Sequence, residues 1–170
     1  MSKIRYRVVM SLDGYIAGPK GEIDWIMMDP DMDFSALYKE FDTVLIGRRT
    51  FEAMMQAGNT AMPGMKMLVF SRTLQQSKHP QVKIVADKQE ETLTALRARS
   101  GKDIWLFGGG SLFHSLLHAG LVDTVGVSII PVLLGGGIPL LPAPAARRTL
   151  QLTGQRIYKS GIVSLQYAVK

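Results

Sequence analysis

The stretch Ile104-Trp105-Leu106-Phe107-Gly108-Gly109-Gly110-Ser111-Leu112 decides how this chain folds. Four β-prone apolar residues run into three glycines, and a serine then opens an apolar helical segment over 112–118. Glycines at such a strand-to-helix turn let the backbone approach a neighbour or a ligand closely, and a helix start presents free N–H groups to an anion. The same grammar recurs upstream. Thr43-Val44-Leu45-Ile46 runs into Gly47-Arg48-Arg49-Thr50 and a helix over 50–55, and Met67-Leu68-Val69-Phe70 ends in Ser71-Arg72. Further strand-like runs lie at 4–10, 82–85 and 122–130, and further helical patterns at 34–41 and 89–99. Alternation of strand and helix through the middle predicts a mostly parallel sheet with crossover helices, an α/β fold. The tail breaks the pattern: 149–158 and 162–169 flank Lys159-Ser160-Gly161, which reads as the turn of an antiparallel hairpin. No repeat, low-complexity tract or linker divides the 170 residues, so one domain over 1–170 is expected.

Composition narrows the function. Hydrophobic residues make up 46% of the chain and charged residues 20%, enough apolar material for a buried core. With no cysteine, disulfides, thiolate metal sites and a cysteine nucleophile are excluded, and a reducing cytoplasm suits the chain. Twenty Lys and Arg against fourteen Asp and Glu give a net charge of +6, which favours an anionic partner. The charge is uneven: residues 1–42 hold five basic and eight acidic side chains, and the rest hold fifteen and six. The N-terminus alternates apolar and basic residues before Asp13-Gly14, so it reads as a strand and tight turn, not a leader. The longest apolar stretch, 125–134, is too short for a bilayer and contains Pro131, so no membrane partner is expected. No basic-aromatic stripe or known module supports nucleic-acid binding. His114 and His118 have a metal-compatible spacing, but no H-E-x-x-H motif or third ligand accompanies them, and no metal is expected.

Three strand ends suited to phosphate point to one ligand with several phosphates, because the carboxyl ends of parallel strands line a common crevice. Neither G-x-G-x-x-G nor a P-loop occurs. A nicotinamide dinucleotide with a 2′-phosphate fits: its pyrophosphate suits the glycine-rich helix start, and its extra phosphate suits Arg48, Arg49, Ser71 or Arg72.

Three segments then carry a resemblance. Ser11-Leu12-Asp13-Gly14-Tyr15-Ile16-Ala17, Gly47-Arg48-Arg49-Thr50-Phe51-Glu52, and Gly108-Gly109-Gly110 followed by Leu116-Leu117-His118-Ala119-Gly120-Leu121-Val122-Asp123 resemble the dihydrofolate reductase superfamily. The similar branch is the C-terminal reductase domain of bacterial riboflavin biosynthesis. The resemblance covers nearly the whole chain. It implies a dihydrofolate reductase-like three-layer fold, with a mostly parallel central sheet, an antiparallel C-terminal hairpin and flanking helices. It also implies NADPH as cofactor and a homodimer. Carried over residue by residue, it sets Val9, Ile16 and Ala17 beside the nicotinamide and Gly47, Arg48, Arg49 and Thr50 at phosphate and ribose. Ser71 and Arg72 would face the 2′-phosphate, Gly109, Gly110, Ser111 and Leu112 the pyrophosphate, and Gly108-Gly109 is a candidate cis peptide. Two positions depart from relatives: Phe107 stands where riboflavin-pathway reductases commonly carry a substrate-binding Glu, and Trp25 follows Asp24 where folate reductases have Pro.

The expected activity is hydride transfer from NADPH to a small heteroaromatic or ribosylamino-pyrimidine-like substrate, with the protein supplying orientation and a proton source. The carboxylates near the nicotinamide side are Glu22, Asp24, Asp29, Asp31 and Asp33. Asp24 is the first candidate for a substrate contact or proton donor and otherwise a loop residue; Asp33 is the second and otherwise a helix N-cap. Trp25 either stacks on substrate or nicotinamide or anchors the core. The rival reading is a non-catalytic nucleotide-binding or regulatory module with the same fold.

Overall fold

A computed structural model describes residues 1–99 and 101–170. In chain order the elements are β1 (Ile4–Ser11), β2 (Tyr15–Ala17), α1 (Phe34–Lys39), β3 (Phe41–Gly47), α2 (Arg48–Gln56), β4 (Lys66–Phe70), β5 (Lys83–Val85), α3 (Gln89–Ala98), β6 (Asp103–Gly108), α4 (Gly110–His118), β7 (Thr124–Ile130), β8 (Ile138–Pro139), β9 (Leu150–Ile157) and β10 (Val163–Val169). A short 3-10 turn covers Gln76–Lys78. Eight strands form one sheet in the order β5-β4-β3-β6-β1-β7-β10-β9, and β2 pairs with β8 apart from it. The pairings within β5-β4-β3-β6-β1-β7 are all parallel, while β10 is antiparallel to both β7 and β9. The expected α/β architecture and the C-terminal hairpin are therefore present. Tyr158 N–H donates to the Ile162 carbonyl and Gly161 N–H to that of Tyr158, closing the hairpin turn.

Alternation along each strand sorts side chains onto two faces. One face buries Ile4, Tyr6, Leu45, Leu68, Leu106, Val125 and Val127 beneath Leu93 and Leu96 of α3 and Phe113, Leu116 and Leu117 of α4. The other buries Val44, Ile46, Met67, Val69 and Trp105 beneath Phe51 of α2, with Leu37 of α1 packed alongside. Each fully buried aliphatic or aromatic side chain contributes about 1.5–3 kcal/mol. The apolar cluster under α1 and α2 holds no residue of β7, β9 or β10, so that half of the sheet face stays open.

Ion pairs fasten strand beginnings. The Asp123 carboxylate accepts from the Ile4 amide and from Arg97, and Asp42 accepts from Arg99 and the Lys102 amide. Arg97 and Arg99, at the C-terminal end of α3, reach with their guanidinium groups to carboxylates distant in sequence. Two elements escape the sequence reading, β2 and β8, which are too short, at three and two residues, to show periodicity. Helix α4 also starts at Gly110, two residues before the apolar pattern does. None of the helices is long and apolar enough to cross a membrane among the described residues.

Tyr6 is fully buried, stacked on Phe113 with ring centroids 3.9 Å apart, and its hydroxyl has no hydrogen-bond partner among the described residues. Burial also pushes its ionisation well above the ordinary tyrosine range. Removing an unpaired buried hydroxyl relieves a desolvation cost of about 1–3 kcal/mol. Tyr6→Phe should therefore leave stability unchanged or raise it by about 1 kcal/mol in urea unfolding; a loss would show that the hydroxyl is satisfied in solution.

Candidate functional site

The strand order reverses where β6 returns from the far edge of the sheet to lie between β3 and β1. At such a switch point the connections after neighbouring strands leave in opposite directions and open a crevice at the carboxyl ends. Here β3 ends in Gly47 and β6 in Gly108, and the pairing slips between Leu45 and Ile46 so that Ile46 sits opposite Gly108. The two backbones nearly touch. A Cβ at Gly47 would lie 3.6 Å from the Gly108 carbonyl and the Gly109 nitrogen, and one at Gly109 would lie 3.2 Å from the Thr50 hydroxyl. Gly108 has φ +126°, open to glycine alone, and the Gly108–Gly109 peptide is cis, as the resemblance implied.

Two helices therefore start side by side at this crevice, α2 behind Gly47 and α4 behind Gly109. Neither N-cap supplies a side-chain hydrogen bond to its helix. First-turn N–H groups without caps, two positive dipole ends and glycines in place of side chains form an anion cradle. Gly47, Thr50, Gly108, Gly109 and Leu112 meet here, and Gly110 and Ser111 continue the first turn of α4.

The four polar candidates separate by their partners. Arg48 donates to both carboxylate oxygens of Glu52, at 3.1 and 2.9 Å, one helical turn on. Arg49 and Arg72 are exposed and make no ion pair among the described residues. Ser71 is buried at the end of β4, where its hydroxyl oxygen accepts from the Thr73 and Leu74 amides and lies 3.4 Å from the Thr73 hydroxyl, in a hydrogen bond that either hydroxyl can donate.

The remaining cofactor candidates lie on β1 and β2, joined to the cradle by a segment the sequence analysis did not interpret, 131–142. Pro139 pairs with Tyr15 and Ile138 with Ala17. Gly137, at φ +153°, lies so close to the Ala17 carbonyl that no Cβ fits between them. Beyond it, the Pro139 and Leu140 carbonyls lie 2.9 and 3.3 Å from where a Cβ on Gly110 would stand. Ile16 and Ala17 are thus built into the same unit as the start of α4. Val9 stands on the sheet beside Ser128 of β7.

On the α1 face, Val9 is followed down β1 by Arg7 and Arg5. Ser128 and Ser164 join hydroxyls at 2.8 Å beside Val9, and Arg156, opposite Ser164, lies 4.6 Å over the Tyr158 ring. Arg7 is half-buried. Burial and the neighbouring Arg5 charge lower its proton affinity, and Glu40, at 3.7 Å, only partly offsets them because it also holds Arg5 at 2.6 Å. Gly126 leaves room for the Arg7 side chain, whose Cδ would lie 3.1 Å from any Cβ there. A groove of about 160 Å³ runs along this open face past Lys3, Arg5, Arg7, Thr124 and Gln166. Arg7 was missed in the sequence, although the alternation Arg5-x-Arg7-x-Val9 carries the signal.

Asp24 is exposed and makes no hydrogen bond or ion pair among the described residues. Trp25 is half-buried and its indole N–H donates to the Glu22 carbonyl at 3.0 Å, which ties it into its own loop. Asp33 is the N-cap of α1, accepting from the Ala36 amide at 2.9 Å. The carboxylate that joins this loop to the rest is Asp29, buried and accepting from the Asp31 amide and from the Ser160 amide in the β9–β10 turn. His114 contacts the Pro144 carbonyl at 3.1 Å.

This strand order, with a glycine-rich helix start at the switch point and an antiparallel C-terminal pair, defines a dihydrofolate reductase-like fold of the reductase type. The family model of the RibD C-terminal domain matches residues 2–164. The chain belongs to the RibD C-terminal domain family. It is 37% identical to the uncharacterised protein YyaP of Bacillus subtilis (strain 168), covering 94% of this chain and 91% of that protein. A crystal structure of a Shewanella sp. PV-4 protein provisionally assigned to riboflavin biosynthesis is 25% identical, with a TM-score of 0.85 over 100% of this chain and 99% of that one. Dihydrofolate reductase from Enterococcus faecalis, solved with NADP(H), shares the fold at 17% identity and a TM-score of 0.71, covering 99% and 96%.

Ser160, first through its nearby hydroxyl, and the Asp31 amide hold the Asp29 carboxyl below the ordinary carboxylate range. A carboxyl depressed by folding adds stability above its unfolded pKa, and that contribution disappears as pH falls through the lower folded value. Asp29→Asn should therefore melt below wild type at pH 7, with the gap closing as pH falls below about 4. A gap independent of pH in calorimetry would refute the linkage.

Proposed function

We propose that this protein is an NADPH-dependent reductase delivering hydride to a small heteroaromatic or ribosylamino-pyrimidine-like substrate. The observation that carries the reading is the meeting of two helix starts without side-chain caps across Gly47 and Gly109. The residues fit a dinucleotide: a Cβ would fill the cradle, and the amides of Gly109 to Leu112 are suited to a pyrophosphate. Thr50 and Arg49 border the same anion, and Ser71 and Arg72 suit a 2′-phosphate, one by a hydroxyl that can turn from Thr73 to the ligand and the other by a guanidinium without an ion pair among the described residues. Arg48 acts through Glu52, setting the first turn of α2. The Enterococcus faecalis reductase, solved with NADP(H), supports a nicotinamide dinucleotide on this fold.

When bound, NADPH supplies the hydride; the chain supplies walls and charge. Val9, Ile16 and Ala17 form the nicotinamide side. Ser128, Ser164 and Arg7 form a polar floor beside Val9 that orients a substrate through hydrogen bonds and one cation. Asp24 and Trp25, on the loop held by Asp29, approach from the opposite side as proton source and stacking surface. We place the enzyme in the cytoplasm, which suits a chain without cysteine. Leu150, Leu152 and Ile157, exposed by 40%, 49% and 76% on edge strand β9, support a second copy docking there to form a homodimer.

Fluorescence titration should show NADPH binding more tightly than NADH. Arg72→Ala should reduce that preference about tenfold, the loss of one charge-assisted contact worth about 1.5–3 kcal/mol in favourable geometry. Absence of binding by either dinucleotide would overturn the proposal. NADPH binding without hydride transfer to any of a panel of heteroaromatic and ribosylamino-pyrimidine substrates would favour the nucleotide-binding module.

A further inference from the structure

Asp13, at the β1–β2 turn, does more than shape an Asp-Gly turn. Its carboxylate accepts three hydrogen bonds: from the Ser11 hydroxyl at 2.7 Å, the Leu134 amide at 3.1 Å and the Gly135 amide at 2.7 Å. The Ser11 hydroxyl, fully buried, in turn accepts from the Tyr15 amide at 3.0 Å, the first residue of β2. Two backbone bonds run alongside, Leu12 N–H to the Val132 carbonyl and Leu140 N–H to the Gly14 carbonyl. The segment 132–140 is thereby laid along the β1–β2 turn, and Gly137 passes where a side chain cannot.

Both walls of the crevice depend on this seam. On one side it fixes β2, which carries Ile16 and Ala17. On the other it brings the Pro139 and Leu140 carbonyls onto Gly110, at the start of α4. A carboxylate suits the task because it offers two oxygens to two successive amides and keeps a lone pair for the serine. The residues that suit the 2′-phosphate, Ser71 and Arg72, follow β4, three strands from β1 in the sheet order, and lie outside the seam.

We infer that Asp13 is a positioning residue for the nicotinamide and pyrophosphate half of the dinucleotide, acting through the 132–140 segment and β2. This rests on the reading of the crevice as an NADPH site. The inference separates the two halves of the ligand: loss of the Asp13 carboxylate impairs recognition of the reactive half and spares the adenosine half.

The experiment compares full-length wild type, Asp13→Asn and Asp13→Glu for binding of NADPH and of adenosine 2′,5′-bisphosphate, which lacks the pyrophosphate and nicotinamide. The amide of Asp13→Asn presents an N–H to an amide donor, so NADPH should bind about tenfold more weakly. Adenosine 2′,5′-bisphosphate should bind all three proteins equally, and Asp13→Glu should recover part of the NADPH affinity. Equal weakening of both ligands, or of neither, overturns the inference while leaving the NADPH reading intact. Wild type that binds neither ligand overturns both. A second measurement needs no variant: NADPH should slow hydrogen exchange at the Leu134, Gly135, Tyr15 and Leu140 amides of the wild type, and adenosine 2′,5′-bisphosphate should not. NADPH that binds without protecting those amides also overturns it.

Discussion

The approach of two backbones at Gly47 and Gly108–Gly109 is the constraint on which the rest of the molecule depends. It follows from β6 pairing between β3 and β1, which sets two strand ends one sheet spacing apart, with the turn after each leading directly into a helix. Any side chain at Gly109 would compete with the Thr50 hydroxyl for the same space. The glycines thus permit the sheet order, and the sheet order in turn aims two helix starts at one point. The anion cradle costs the fold no separate element.

Charge is distributed by the same logic. Most basic side chains near the sheet are committed to carboxylates: Arg97 to Asp123, Arg99 to Asp42, Arg5 to Glu40 and Asp103, and Arg48 to Glu52. Arg49 and Arg72, without an ion pair among the described residues, border the crevice, and the half-buried Arg7, whose partner Glu40 is shared with Arg5, lies on the open face beside it. A net charge of +6 is therefore a poor guide to function by itself. Its useful content lies in which guanidinium groups the fold leaves uncompensated, since exposed ion pairs contribute about 0–1 kcal/mol and an uncompensated cation attracts a ligand.

The legible parts of the sequence were those written locally. Strand runs such as Lys66–Phe70 declare themselves by β-prone apolar composition, helices such as Gln89–Ala98 by periodicity, and the turns at Gly47 and at Gly108–Gly110 by the glycines between strand and helix. Asp33 reads correctly as an N-cap because its partner is three residues away. Contacts made at long range were illegible. Asp29 to Ser160 spans 131 residues and Asp13 to Gly135 spans 122, and nothing near either carboxylate names its partner. Strands β2 and β8 fall below the length at which alternation shows, so only the Asp13-Gly14 turn of the seam between them was legible.

The two sides of the crevice are built by different means, and this bears on what the fold can accommodate. The side at the helix starts is made mainly of backbone: amides of two helix starts, glycines and the carbonyls of 139–140. It tolerates few changes, because a Cβ at Gly110 or Gly137 would meet main-chain carbonyls, one at Gly109 would meet the Thr50 hydroxyl, and Gly108 holds a φ of +126°. The open face beside it carries side chains from separate elements: Arg7 and Val9 on β1, Ser128 on β7, Ser164 on β10, Arg156 and Tyr158 at the hairpin, and Phe107 at the end of β6. Each of these projects from a sheet whose strand pairing does not depend on its identity. Substitution there alters the polarity and shape of that face without disturbing the glycines at the helix starts. Phe107 is such a position: an apolar ring packed edge-on against Trp105, with centroids 5.3 Å apart, forms a wall that a carboxylate there would make polar. The character of this face is accordingly set by these seven side chains, with the Ser128–Ser164 hydroxyl pair beside Val9 on β1 and Phe107 at the end of β6.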